Sequence, residues 1–390
     1  MRQAGWIKTG LMGLSLITLT ACLEPQPAPD LPEQPQSDFQ LDIIAEGLAS
    51  PWAAAELPDG GFLVTGKFGQ LWRVANGQVT EITGLPDEIV ALADNRIATE
   101  GQGGFLDIAL APDFETSGTV YMSYSYGDWA ANNTGLLRAT LADDQLTNVE
   151  TVFRALPAKE AGNHYGGKIA FPGDGTLLLA LGDAFSMREE AQITSSHLGS
   201  VVRLTLDGEA ARDNPDFGDG AMAELFTMGH RNVQGLTVDQ DTGVIWAHEH
   251  GPRGGDELNL LEAGGNYGWP VATAGLDYQG ARISPQEEHT GFNAPAHGWT
   301  PSIAPSGLAI YRGDVFPGWD GHALVGGLAS GDLRKVDPAT GEEVILLSDA
   351  KTDEDRFRVR DVDIASDGTV LLLIEDPENG RLIRMSSAPQ

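Results

Sequence analysis

Pro172-Gly173-Asp174-Gly175 runs straight into Thr176-Leu177-Leu178-Leu179-Ala180-Leu181-Gly182-Asp183, a tight turn followed by an apolar run. Proline presets the turn backbone, glycine supplies positive φ, and aspartate bonds back to its own chain. An apolar run of this length between turn signals reads as a strand. The same unit occurs five more times. Pro58-Asp59-Gly60 precedes GFLVTG, Pro112-Asp113-Phe114 leads to TVYMSYS, and Asp239-Gln240-Asp241-Thr242-Gly243 precedes VIWAHEHG. Pro317-Gly318-Trp319-Asp320-Gly321 stands before HALVGG, and Ser366-Asp367-Gly368 before TVLLLIED. Six copies at intervals of roughly 50 to 80 residues point to a radial repeat with one small sheet per copy.

A solenoid and two stacked sandwiches are the competing architectures. Uneven spacing argues against the solenoid, whose repeats are shorter and more regular. The expectation is an all-β, six-bladed β-propeller forming a single domain, residues 39–387. The extra length between the fourth and fifth copies is expected to form loops around the mouth of a central channel.

Ahead of this region, Arg2 and Lys8 flank the start of an apolar stretch, Leu11 to Leu19, too short to span a bilayer. It ends in Leu19-Thr20-Ala21-Cys22, which resembles a bacterial lipoprotein cleavage site. That resemblance implies a signal peptide over residues 1–21 and a lipid on Cys22. With Leu23 after the cysteine, it further implies a periplasmic protein held at the outer membrane. Residues 22–38, rich in Pro, Gln and acids, cannot bury enough surface to fold and are expected to form a tether. Cys22 is the single cysteine, so no internal disulfide is available and stability must come from the core.

The chain carries 56 acidic against 24 basic residues, a formal charge of −32. Such a surface repels nucleic acid and anionic lipid alike, so neither is expected as a partner. It also makes each basic cluster informative. Arg356-Phe357-Arg358-Val359-Arg360-Asp361, if extended, places three arginines on one face. That array suits an anionic ligand, or a strand neutralised by Asp353, Glu354, Asp355 and Asp361.

Three further clusters could carry chemistry. In Gly162-Asn163-His164-Tyr165-Gly166-Gly167, glycines around a histidine allow a flat ligand to approach the backbone. Asp183, closing the strand of the same repeat, could orient His164 and raise its basicity. In Gly229-His230-Arg231-Asn232-Val233-Gln234-Gly235, a guanidinium beside an amide can hold and polarise carbonyl oxygens. Glu249-His250-Gly251-Pro252-Arg253-Gly254-Gly255-Asp256-Glu257-Leu258-Asn259, followed by Gly265 to Pro270, mixes carboxylates with glycine-exposed carbonyls, the donors Ca²⁺ prefers. Taken singly, each cluster also fits an ordinary turn. No HExxH, CxxC, Walker, GxGxxG or GxSxG pattern occurs, which weakens zinc, nucleotide and serine-hydrolase readings.

Taken in order, GQGGFLD (101–107), GNHYGGK, GHRNVQG, EHGPRGGDELN, NYGWP, PSIAPSGLAIY and RVRDV resemble the soluble PQQ-dependent aldose sugar dehydrogenases, relatives of soluble glucose dehydrogenase. The resemblance covers nearly all of the chain beyond residue 38 and implies a six-bladed propeller. It implies that pyrroloquinoline quinone (PQQ) and Ca²⁺ are cofactors, that an aldose is oxidised at C1 to a lactone, and that electrons leave to an external acceptor. His164 would be the general base, with Asp183 assisting it. Arg231 and Asn232 would hold the quinone oxygen. Gln102, Tyr278, Arg358 and Arg360 would contact the cofactor. The carbonyls of Gly251 and Pro252, and separately Glu257 with the backbone of Tyr267, would bind calcium. Two departures stand out: Ala329 occupies a position where relatives often carry lysine, and Lys168 one where they often carry arginine. A propeller binding module and a calcium-dependent propeller lactonase are the alternatives.

Overall fold

The computed structural model describes residues 39–287, 290–348 and 357–388. The expected signal peptide and tether, and Arg356 of the arginine cluster, lie outside the described residues.

Six four-stranded antiparallel sheets form a closed ring. Blade 1 comprises Pro51–Glu56, Phe62–Gly66, Gln70–Ala75 and Gln78–Glu81; blade 2 comprises Phe105–Leu110, Thr119–Gly127, Asn132–Ala142 and Gln145–Arg154. Blade 3 takes Gly166–Ala170, Thr176–Leu181, Ser200–Thr205 and Leu225–Met228, and blade 4 takes Val233–Val238, Ile245–Glu249, Asp256–Leu261 and His297–Trp299. Blade 5 is built from Pro305–Ile310, Ala323–Gly327, Asp332–Val336 and Glu343–Ser348. Blade 6 has Val359–Ile364, Val370–Ile374 and Gly380–Ser387, completed by Phe39–Leu48 from the start of the folded region. The first strand of each blade packs against the first strands of its two neighbours and lines the axis. This is a six-bladed β-propeller, as the repeats and the resemblance both led one to expect.

Each repeated turn is the hairpin between the first and second strands of one blade. In blade 3, Gly173 and Gly175 take φ of +82° and +84°, so this turn needs residues without a Cβ. The strand that follows is continuously apolar because both of its faces are buried. Leu177, Leu179 and Leu181 pack towards blade 2, while Leu178 and Ala180 pack towards blade 4. The same division recurs in blade 6, where Leu371 and Leu373 face blade 1 and Val370, Leu372 and Ile374 face blade 5. The core is therefore six apolar layers, one between each pair of adjacent blades.

One irregularity places the site. In all six blades the pairing of the first strand shifts register near its start, as between Gly166 and Ile169 or between Val359 and Asp361. A bulge re-aims side chains and ends pairing locally. The segments entering these strands converge on one face of the ring, and they carry Gln102, His164, Arg231, Asn232 and Arg358. The long loop of blade 4, residues 262–296, reaches the same face. It runs beside the last strand of blade 3, where Tyr267 N donates to Met228 O and Trp269 N to Gly229 O, both at 2.9 Å.

Candidate active site

The turn before blade 3 holds His164 at φ +54°, a left-handed conformation uncommon for a non-glycine residue and found at constrained functional positions. Two glycines make it possible. A Cβ on Gly182 would come within 2.3 Å of the His164 carbonyl, and one on Gly166 within 2.6 Å of the Ala180 carbonyl. His164 N donates to Gln102 Oε1 at 2.9 Å, and Lys159 Nζ donates to the preceding carbonyl, Asn163 O, at 2.8 Å. Lys159 is buried over the ring of Tyr165, 3.7 Å from its centroid, so one ammonium braces both neighbours of the histidine. Burial pushes Lys159 down to about 7, against the upward pull of Asp183.

His164 and Asp183 are both buried, with Nδ1 2.6 Å from Oδ1. Asp183 also accepts from the Phe185 amide at 2.7 Å and from Trp269 Nε1 at 2.7 Å. Burial alone would raise this carboxyl; the His164 hydrogen bond, then Arg231 and the Phe185 amide, outweigh it and hold it below its ordinary value. Burial lowers His164 below its own ordinary value, even though Asp183 pulls the other way. The pair is thus an ionised aspartate holding a neutral imidazole with its proton on Nδ1. Among the described residues, Nε2 has no hydrogen-bond partner and can receive a proton.

Arg231 is buried, and its backbone amide is tied to Glu249, which also accepts from His230 Nδ1 at 2.8 Å. Its Nη1 donates to the carbonyls of His250 (2.9 Å) and Gly251 (2.7 Å), and its Nη2 to Tyr278 Oη at 3.2 Å. The Gly251 carbonyl, which the resemblance offers to calcium, therefore accepts from a guanidinium in this conformation. Asn232 is buried, and its Oδ1 accepts from Gly166 N at 3.2 Å. Tyr278 is 58 % exposed, and Phe185 is 45 % exposed with its ring edge-on to His164, their centroids 5.2 Å apart. These two aromatics, 6.1 Å apart, frame the approach to the imidazole.

Beside the histidine lies a cavity of about 620 Å³. Gln102, Asn232, Arg358 and Arg360 line it together with Trp52, Lys67, Tyr165, His250, Ala329 and Glu375. The arginines converge on Glu375: Arg358 Nη2 donates to Oε1 at 3.0 Å and Arg360 Nε to Oε2 at 2.7 Å. Burial would raise Glu375, but Arg360 and then Arg358 pull it down to about 2. Of the acids offered by the sequence, Asp361 does not serve this cluster. It faces Lys168, whose Nζ donates to Asp361 at 2.7 Å and Asp107 at 3.1 Å, a buried triad on the axis.

Glu257 and Tyr267 sit apart from this cavity, in a second one of about 350 Å³ lined also by Ala272, Glu287 and Asn293. Glu257 has one long contact, from Asn259 Nδ2 at 3.4 Å. Burial and then the nearby Glu249 push it up to about 8. Asn259 Oδ1 is buried with no partner among the described residues. Two carboxylates, Glu257 and Glu287, line this void and no lysine or arginine does, which makes it an oxygen-rich place short of positive charge. No group of three or more His, Cys, Asp or Glu arranged for a metal occurs among the described residues, so any cation here would need backbone or amide oxygens as well.

The pairing of His164 with Asp183 and the gathering of Gln102, Asn232, Arg358 and Arg360 were anticipated from the sequence. Lys67, Lys159, Trp269 and Glu375 were not. Trp269 meets Asp183 across 86 positions, and no local pattern marks such a contact.

A basic cavity lies beside a buried histidine–aspartate pair on one face of a six-bladed propeller, an arrangement able to accept a proton and to hold an anion. The chain belongs to the Glucose / Sorbosone dehydrogenase family, whose model matches residues 48–384. It is 38 % identical over 355 residues to aldose sugar dehydrogenase YliI of Escherichia coli strain K12, covering 89 % of this chain and 92 % of that one. The crystal structure of the soluble aldose sugar dehydrogenase from Escherichia coli, in its apo-form, superposes with a TM-score of 0.80 at 36 % identity, over 90 % of this chain and 100 % of that one. The PQQ-bound aldose sugar dehydrogenase of Streptomyces coelicolor gives 0.70 at 26 % identity, over 90 % and 100 %.

Proposed function

We propose that this protein oxidises aldose sugars at C1 to lactones, with PQQ as cofactor and Ca²⁺ bound, and passes the electrons to an external acceptor. The observation that carries the reading is the neutral His164, held by an ionised Asp183 beside a cavity whose wall gathers Arg358 and Arg360. When bound, PQQ would supply the hydride acceptor. His164 Nε2 takes the proton of the anomeric hydroxyl, and Asp183 stabilises the imidazolium that forms. Arg231 and Asn232 offer N–H donors where negative charge develops, a role that preorganised dipoles fill without reorganisation. Gln102 fixes the His164 backbone, and the exposed rings of Tyr278 and Phe185 offer apolar faces to the sugar.

The cavity fits a flat polycarboxylate. Its wall includes the rings of Trp52, Phe68 and Tyr165, and its cations outnumber its single carboxylate, Glu375. The Glu257 carboxylate and the Tyr267 backbone, on the wall of the second cavity, suit Ca²⁺, and the carbonyls of Gly251 and Pro252 would offer a second place if Arg231 turns away. The lipid anchor on Cys22 and a periplasmic location remain part of the proposal, supported by the N-terminal sequence alone.

The test is reconstitution of residues 39–390 with PQQ and Ca²⁺, followed by dye reduction with several aldoses and identification of the sugar product. Lactone formation is expected. PQQ binding without turnover of any aldose would refute the substrate class, and absence of PQQ binding would refute the cofactor, leaving a binding module or a lactonase.

A further inference from the structure

Lys67 follows the second strand of blade 1 and stands in the wall of the main cavity. Its backbone is fixed from both sides. Its amide donates to Ser50 O and its carbonyl accepts from the Phe105 amide, both at 2.9 Å, which ties it to the entry segments of blades 1 and 2. The side chain is half-buried, and Nζ donates to Gly101 O at 2.8 Å, the carbonyl just before Gln102. That carbonyl is neutral.

Among the described residues no carboxylate lies in salt-bridge contact with Lys67. Glu375, the one acid lining this cavity, is engaged through both oxygens by Arg358 and Arg360. Burial lowers Lys67, with Glu375 and Arg360 acting on it in opposite directions, so its ammonium shares one electrostatic environment with Arg360 and Glu375. Ala329, also in the wall, adds no charge. In a chain with 56 acids to 24 bases, a partly buried ammonium with no acid partner among the described residues points to a negative group that arrives with a ligand.

We propose that Lys67 is a third cationic contact for the carboxylates of the bound cofactor, acting with Arg358 and Arg360. This rests on the PQQ reading above. A flexible four-carbon stem carrying three donors lets the ammonium keep the Gly101 carbonyl while accepting a carboxylate as a second partner. Lys67 is then a binding residue rather than a group in the chemistry.

The experiment is an absorbance-monitored equilibrium titration of the calcium-supplemented chain with PQQ, at low and high salt, comparing wild type, K67M and K67R, with thermal melts of each unliganded protein. K67M is expected to bind roughly ten- to a hundred-fold more weakly, the range for losing one charge-assisted hydrogen bond. K67R should bind close to wild type, and the K67M affinity should respond less to salt. Wild-type binding with K67M unchanged would overturn the role of Lys67 alone. A K67M defect with wild-type salt response and a lowered melting temperature would also overturn it, making the residue a brace for Gly101. No binding by wild type would remove the PQQ reading and this inference with it.

Discussion

At the scale of single residues, the proposed chemistry rests on a histidine that is buried and held by an aspartate. Burial lowers His164 and Asp183 opposes that fall. The base must be neutral to act, so kcat/KM should rise with pH through the His164 pKa, below its ordinary value near 6.5, and level off above it. In Asp183→Asn the acid limb should move to lower pH, because the group that raises the imidazole is gone. The rate at the plateau should also fall, by less than the roughly 10²–10⁴-fold cost of losing the base in His164→Ala. A full pH–rate profile of the three proteins checks this; an unmoved limb in the asparagine variant would detach Asp183 from the imidazole. Glu257 offers a second test. If it helps hold Ca²⁺, a Ca²⁺ concentration a hundred times Kd should stabilise the wild type by about 2.7 kcal/mol and raise its melting temperature. Glu257→Gln should lose most of that response, whereas equal shifts in both proteins would place the ion elsewhere. Much at this scale was legible. GNHYGGK marks a histidine among glycines that let a ligand approach the backbone, and Asp183 closes the next strand. Lys159, Trp269 and Glu375 were hidden, since a lysine, a tryptophan and a glutamate are each common, and only the fold brings them to the site.

At the scale of the element, the first strand of each blade serves two purposes: its bulged start feeds the site and its body closes the axis. Lys168, on the first strand of blade 3, joins Asp107 of blade 2 and Asp361 of blade 6, and lies 5.0 Å from the ring centroid of Trp52 in blade 1. Asp361 also accepts from the Ala54 amide at 3.2 Å and Asp107 from the Ile169 amide at 2.7 Å. This buried cluster therefore links four blades. Removing its only cation, in Lys168→Met, leaves two carboxylates buried without their counter-charge and should cost about 3–5 kcal/mol in denaturant unfolding. The triad also has a pH signature. Burial raises Asp107 to about 6, although Lys168 opposes the rise. A folded pKa above the unfolded one favours the native state at low pH, and that contribution is lost as pH climbs from about 4 to about 6. Asp107→Asn should flatten the stability curve in that window relative to wild type; an unchanged slope would show that Asp107 ionises freely. The sequence marked Lys168 only as a departure from its relatives. Its partners were not legible, because RVRDV reads equally well with Asp361 neutralising its own arginines, and only the alternation of the strand turns Asp361 towards the axis.

At the scale of the molecule, the six blades were countable because each first hairpin carries its own turn residues, but the way the ring closes was not. The strand Phe39–Leu48 contains no turn signal of its own and pairs with Gly380–Ser387 from the far end of the chain. Gly47 N donates at 2.8 Å to Asn379 Oδ1, 332 positions on. Phe39 packs edge-on against Phe316 and Trp319 of blade 5, with ring centroids 5.9 and 5.7 Å apart. Blade 6 thus draws its fourth strand from the other end of the chain, and that strand also reaches its neighbour. Without it, Gly380–Ser387 would become an open edge with unpaired backbone groups, a template for association with other chains. The apolar layer between blades 6 and 1 would lose Ala45 and Leu48 as well. A chain beginning at residue 49 should therefore lose its cooperative melt or aggregate, and adding a peptide of residues 39–48 in trans should restore part of the transition. A truncated chain that melts at the wild-type temperature and stays monomeric would show that blades 1 to 5 hold the ring closed by themselves.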